Sequence, residues 1–401
     1  MTQQRSLALP RVGGFLRRIV DDGIVSGAVA AWQQGQGDIQ FVAYGNSAFH
    51  GGRPMASDSL FRMFSQTKPV TGIAALMLVE EGRLSLDQPI ATILPEFADP
   101  HVAIDGDLRK TRPASRPITL RHLLTHTAGF GYHIGGDDLA RLYWKYGLTP
   151  GARSRIPGPG EMASVTSLEE LGARLASLPL ARDPGTRFEY SISIDLLGLV
   201  IQRVSGMRFE EFLQSRLFEP LDMQDTGFIV PAAKLDRLTA LCERRWDGWK
   251  FVDDPLASVY AKPAVPSGGG GLVSTARDYA RFASLLMRGG VFEGRRLLRP
   301  GTVQLAASNL LPDGVDKVEL PLGYAWPAMG FGAAMSVQTG DGEAPEGVFG
   351  WPGAAGTQIW IDPARQFFFQ FLVQYWPPEI NTVLRPQVIA HAYADLNEAT
   401  A

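Results

Sequence analysis

Residues 367–373 read Phe-Phe-Phe-Gln-Phe-Leu-Val, with one polar side chain in the run. Such a segment, without polar alternation, predicts a strand buried on both faces. Residues 357–361 precede it across Asp362-Pro-Ala-Arg365, which predicts a hairpin. Residues 28–33 and 39–44 flank Gln34-Gly-Gln-Gly-Asp38 near the other end in the same way. Hairpins without strand–helix–strand alternation argue for an antiparallel sheet. Strands from both chain ends can then pair in one sheet, with the region between them inserted.

That region has a different period. Val70, Ile73, Ala74, Met77 and Leu78 follow i, i+3, i+4, i+7, and Gly82 closes the segment. Ile194, Leu197, Gly198, Ile201 and Val204 repeat the pattern before Gly206. Phe209, Phe212, Leu213 and Leu217 repeat it before Pro220. Thr275 with Asp278 resembles a capping box opening a helix that ends at Gly289-Gly290. A last helix is predicted from about 386 to 396, with Val388, Ile389, Ala392 and Leu396 on one stripe. The 44 glycines and 28 prolines exceed ordinary usage, so many turns are expected. Residues 147–165 concentrate them in one long excursion between helices.

The 401 residues are 45% apolar and 20% charged, which excludes a wholly disordered chain. Net charge is −3, without a Lys/Arg block, so nucleic acid is not an expected partner. One cysteine, Cys242, excludes an intrachain disulfide and a cysteine-rich zinc site. No apolar stretch approaches the roughly 18 residues of a membrane helix, and residues 1–20 lack a signal-peptide core. A cytoplasmic protein without membrane attachment is expected.

Three segments carry candidate chemistry. Ser65-Gln66-Thr67-Lys68 is a Ser-x-x-Lys, which puts a hydroxyl and an amine on one helix face. Pro69 is cheap only where its missing N–H has no partner anyway, so the helix should begin at about Ser65 or Gln66. Ser65 would then meet the positive end of the helix dipole. Tyr190 follows the turn Pro184-Gly185 and precedes a helix, where a phenol can face a cleft and shuttle protons. Trp351-Pro352-Gly353-Ala354-Ala355-Gly356 is small enough for close backbone approach by a ligand. Pro352 cannot donate to a ladder, so an edge strand is expected there. Each segment also has a plainer reading: an N-cap serine with a solvated lysine, a half-buried tyrosine, and a glycine-rich turn.

Together with Leu123-Leu-Thr-His-Thr-Ala-Gly129 and Ser267-Gly-Gly-Gly-Gly-Leu-Val-Ser-Thr275, the three segments occur in an order that resembles the β-lactamase-related serine hydrolases. That group includes class C β-lactamases, DD-peptidases and bacterial family VIII carboxylesterases. The resemblance implies an α+β fold. An antiparallel sheet from residues 1–64 and 267–401 would be flanked by helices, with a mainly helical region, 65–266, inserted and the site in the cleft between. It implies Ser65 as acylated nucleophile, Lys68 as its base and Tyr190 as proton carrier to the leaving group. The N–H groups of Ser65 and Ala354 would form the oxyanion hole. Tyr132, Trp351 and Gly353 would contact substrate. Phe130, Tyr143, Trp144 and Tyr146 are further candidates for an aromatic wall.

Two departures select among members. Ile192 stands where β-lactamases carry the asparagine of Tyr-x-Asn, and Trp351 where they carry the lysine of Lys-Thr-Gly. Both resemble family VIII esterases and related polyketide acyltransferases, so a small neutral ester is the expected substrate, without a cofactor. Arg153, Arg155 or Arg187 could return a cation from another direction. Alternatives are a β-lactamase, a DD-peptidase or D-aminopeptidase, an acyltransferase, and a catalytically silent penicillin-binding-like protein. His122 and His126 have metal-ligand spacing, but no Glu follows His122, and no metal is expected. Gly268 to Gly271 lacks a phosphate-loop ending and is read as a connection. No Gly-x-Ser-x-Gly occurs, which disfavours an α/β-hydrolase.

Overall fold

The computed structural model describes residues 7–134, 136–149, 164–262, 264–315, 318, 328–340, 342–377 and 380–400. One antiparallel sheet of seven strands organises them. The strands are β1 (Gly27–Gln34), β2 (Gln40–Gly45), β3 (Met329–Phe331), β4 (Ser336–Gln338), β5 (Phe349–Gly350), β6 (Gln358–Asp362) and β7 (Phe367–Leu372). Their order is β3-β4-β5-β6-β7-β1-β2. The chain ends meet in the β1–β7 ladder, with Val29 opposite Leu372 and Gln34 opposite Phe367.

β7 is buried along its whole length because both faces are covered. Phe367, Phe369 and Phe371 share one core with helices α1 (Pro10–Asp21) and α5 (Ile380–Thr400). Phe368 and Leu372 point the other way, into the core that includes α4 (Ala276–Met287). The strand period of two sorts these side chains between the layers.

Two expectations are corrected. The C-terminal helix begins at Ile380, and Pro386 lies inside it. An interior proline costs about 3 kcal/mol. Leu384, Val388, Ile389, Ala392 and Leu396 are all buried against the sheet. Burying each large apolar side chain contributes about 1.5–3 kcal/mol, enough to carry the helix past the proline. The strand before Pro352 is also not an edge: β5 lies between β4 and β6 and ends at Gly350. Pro352 falls beyond the ladder, where its missing N–H costs nothing.

Sharing the Phe368 and Leu372 core with α4 are α2 (Thr67–Glu80) and α3 (Ser193–Ser205), packed on each other. α2 is buried from Thr67 to Leu78, so it is a central helix with no exposed face over that stretch. Gly82 and Gly206 follow the two helices with φ of +71° and +75°, the left-handed stop their positions predicted. Thr275 caps α4 by accepting from the Asp278 N–H. The Asp278 carboxylate turns instead to the Asp225 N–H and the Thr226 hydroxyl. Two further hairpins lie between α2 and α4, His101–Ile104 with Asp107–Pro113 and Leu241–Arg245 with Gly248–Asp253. Among the described residues, no helix is long and apolar enough to cross a membrane.

Candidate active site

The strand Leu60–Arg62 runs into a tight turn before α2. Phe64 holds that turn with φ of +46°. A non-glycine residue there costs roughly 1–2 kcal/mol. Phe64 is held by burial against Leu241 and Ala355. The turn delivers Ser65 to the start of α2, where the helix dipole favours negative charge. Pro69 is the third residue of α2, within its first turn, where a missing N–H costs least.

Ser65, Lys68 and Tyr190 come together. The Tyr190 hydroxyl donates to Ser65 Oγ at 2.7 Å, and Lys68 Nζ donates to the same oxygen at 3.2 Å. Lys68 is fully buried and also donates to the Gly269 carbonyl at 2.6 Å. Trp351 Nε1 donates to the Tyr190 hydroxyl at 3.3 Å. A hydroxyl, an amine and a phenol thus share one hydrogen-bonded group at a helix N-terminus.

Tyr190 is placed by two strips of backbone. Glu189 N–H donates to the His126 carbonyl, and Ile192 N–H to the Gly131 carbonyl. The same strips bring Tyr132 edge-on to Tyr190, with centroids 5.5 Å apart, and 5.6 Å from Lys68 Nζ. Burial pushes the Tyr132 hydroxyl well above its usual pKa, so it stays neutral. The other aromatic candidates differ. Phe130 and Tyr143 are core side chains, and Trp144 donates to the His133 carbonyl.

The 351–357 loop lies against the Ser65 turn. Thr357 Oγ1 donates to the Met63 carbonyl, and Gly353 N–H to the Thr357 carbonyl. A Cβ at Gly353 would stand 2.1 Å from Thr357 Oγ1 and 2.2 Å from the Met63 oxygen. Only glycine allows this approach. Ala354 packs on the cluster containing Phe64. Gly353→Ala should therefore push loop and turn apart. We expect a loss of about 1–3 kcal/mol, read by urea unfolding, together with a larger proportional loss of activity. Wild-type stability and activity would refute this reading of the contact.

Trp351 and Ile192 are buried at 2% and 0% exposure, so both belong to the core. Trp351 packs on Phe331 and Tyr190. Its place beside Tyr190 is a hydrogen-bonding one. Arg187 is exposed, whereas Arg153, Arg155 and most of the 147–165 excursion lie outside the described residues. His122 completes a capping box: its Nδ1 accepts from the Thr119 N–H at the start of the helix Leu120–Leu124. His126 Nδ1 accepts from the Ser191 N–H, and burial lowers its pKa well below the usual histidine range. Among the described residues, no cluster of His, Cys, Asp or Glu is arranged to hold a metal.

Asp195 is absent from the sequence reading, and Ser267 and Gly269 enter it only within a motif read as a connection. Asp195 is 1% exposed, and its Oδ1 accepts from Ser267 Oγ at 2.5 Å and from Gly269 N–H at 3.1 Å. The glycine run is thus part of the site and not a simple connection. A Cβ at Gly269 would stand 2.5 Å from Asp195 Oδ2. The available signal was one charge within the buried run from Ser193 to Ile201 of α3.

The family model for Beta-lactamase matches residues 14–394. The chain is 35% identical over 375 residues to an uncharacterized protein of Mycobacterium tuberculosis, covering 90% of this chain and 89% of that one. It is 34% identical over 250 residues to esterase EstB of Burkholderia gladioli, covering 57% of each. Among solved structures it is similar to EstCE1, described as a hydrolase with promiscuous acyltransferase activity. The TM-score is 0.77 at 26% identity, over 96% of this chain and 98% of that one.

Proposed function

Because this chain belongs to the beta-lactamase family, we propose that it is a serine esterase that cleaves short to medium acyl esters through an acyl-Ser65 intermediate. The observation that carries the reading is the convergence of Tyr190 and Lys68 on Ser65 Oγ. Ser65 Oγ bonds to the ester carbonyl carbon while its proton passes to the Lys68–Tyr190 pair. The tetrahedral oxyanion is received by the N–H groups of Ser65 and Ala354. The bond to the alcohol oxygen then breaks, and that oxygen takes the proton. Water next adds to the acyl carbon, gives its proton to the pair, and the pair returns it to Ser65 Oγ as the acid leaves. Tyr132 and Trp351 border the reacting group, and the chemistry calls for no cofactor.

The similarity to EstB and EstCE1 supports this class. The description of EstCE1 also favours a second reading, in which an alcohol replaces water in the second half-reaction.

Specificity follows from Trp351 and Ile192. A β-lactam carries a carboxylate and an amide, and these two buried side chains offer neither a cation nor an amide partner. Each unpaired polar group costs roughly 1–3 kcal/mol. We expect kcat/KM for p-nitrophenyl butyrate to exceed that for nitrocefin by at least about 10²-fold. Equal values would overturn the assignment. Ile192→Asn is not a route to β-lactam turnover, since it would place an amide in the core.

A further inference from the structure

We propose that Asp195 is a positioning residue for the reaction. Its buried carboxylate, locked by Ser267 and Gly269, supplies the counter-charge to Lys68 and fixes the carbonyl that orients the Lys68 amine. The inference rests on the esterase reading and goes beyond it, because Asp195 acts through Ser267 and Gly269 and not on Ser65 itself.

The argument begins with cost. A carboxylate in a nine-residue buried run loses its hydration, and burial raises its pKa. Such a group persists where opposite charge and hydrogen bonds offset that loss. Asp195 has both: two donors on one oxygen, and the nearby Lys68 side chain as the largest opposing influence. The same glycine links the two groups. Gly269 N–H points at Asp195, and its carbonyl accepts from Lys68. Its Cα lies too close to the carboxylate for a side chain, and Gly268 is pressed as tightly, 2.5 Å from the Ile194 carbonyl to an added Cβ. Asp195 therefore sets the position of a backbone oxygen, and that oxygen sets where Lys68 Nζ stands relative to Ser65.

Lys68 is surrounded by few other titratable groups. Tyr190 and Tyr132 present ring faces to it, and His126 and His133 are kept neutral by burial, each with Lys68 as a further depressing influence. Among these described neighbours Asp195 is the acidic one. Removing its charge takes away the one acidic partner among them.

The test is Asp195→Asn, which keeps the shape and both accepted hydrogen bonds. Two rates are followed against pH: p-nitrophenyl butyrate hydrolysis, and labelling of Ser65 by a fluorophosphonate, read by intact mass. In Asp195→Asn we expect kcat to fall about 10- to 100-fold with KM nearly unchanged. We also expect the pH profiles of both rates to move relative to wild type, since a buried charge beside the reacting group is gone. A folded Asp195→Asn with unchanged kcat and unmoved profiles would overturn the proposal while leaving the esterase intact. Wild-type protein that neither labels nor hydrolyses would overturn both. If Asp195→Asn does not fold, Ser267→Ala takes its place, since it frees the carboxylate while keeping the charge. A fall in kcat at constant KM is then expected, and an unchanged kcat refutes the role.

Discussion

Ser65→Ala lowers ester hydrolysis by about 10⁴-fold or more while the protein stays folded. The magnitude is that of losing a nucleophile whose partners act with it as a unit. The fold survives because one half-buried hydroxyl is removed from a turn held by other contacts. Phe64 stays packed on Leu241 and Ala355, and Thr357 keeps its hydrogen bond to Met63. Lys68 retains the Gly269 carbonyl, and Tyr190 retains Trp351. A stability change within about 1 kcal/mol follows. Intact-mass analysis with a slow substrate should find the acyl group on Ser65 in the wild type and nowhere in the variant. An adduct on another serine would end the assignment.

Tyr190→Phe and Lys68→Ala each reduce kcat by about 10²- to 10⁴-fold with much smaller effects on KM. The Ser65/Lys68/Tyr190 triple variant should be scarcely slower than the slowest single variant, because all three groups meet at one oxygen. Tyr190→Phe is the cleaner measurement. It keeps the ring between Trp351 and Tyr132 and removes only the hydroxyl that joins Ser65 to Trp351. Lys68→Ala also strips Asp195 of its nearby cation, so its stability must be measured beside its rate. Losses that add across the three sites, or a Tyr190→Phe variant at wild-type rate, would refute a shared proton relay.

What the sequence disclosed divides along physical lines. Short-range signals transferred well. The two hairpins, the glycine stops at Gly82 and Gly206 and the threonine cap at Thr275 depend on neighbours a few residues away. Ser65 and Lys68 share a helix turn, so their meeting needs only local geometry. Tyr190 reaches them from 125 positions away, and its approach was readable only through the resemblance. Trp351 is expected to contact substrate because its position matches a cationic one in the resembling family. What only the fold reveals is that its indole packs on Phe331 and donates to Tyr190. The burial of Ile192 is likewise a long-range fact: its N–H bond to Gly131 fixes the segment, and its side chain lies in the core. The link between Asp195 and Gly269 was not legible, because it exists only once α3 and the glycine run lie side by side.

The sheet that supports this site has a kinetic consequence. Its central ladder joins β1 to β7, and the helices above it are tied by Arg11 and Asp395, which lie 384 positions apart in sequence. Contacts of such high order form late, since a large loop must close before any of their energy is recovered. During synthesis β1 can pair with β2 at once, but its other edge stays bare until residues 367–372 have emerged. An unpaired edge is a template for joining another chain. The nascent chain is thus most exposed to aggregation just before the last strand arrives.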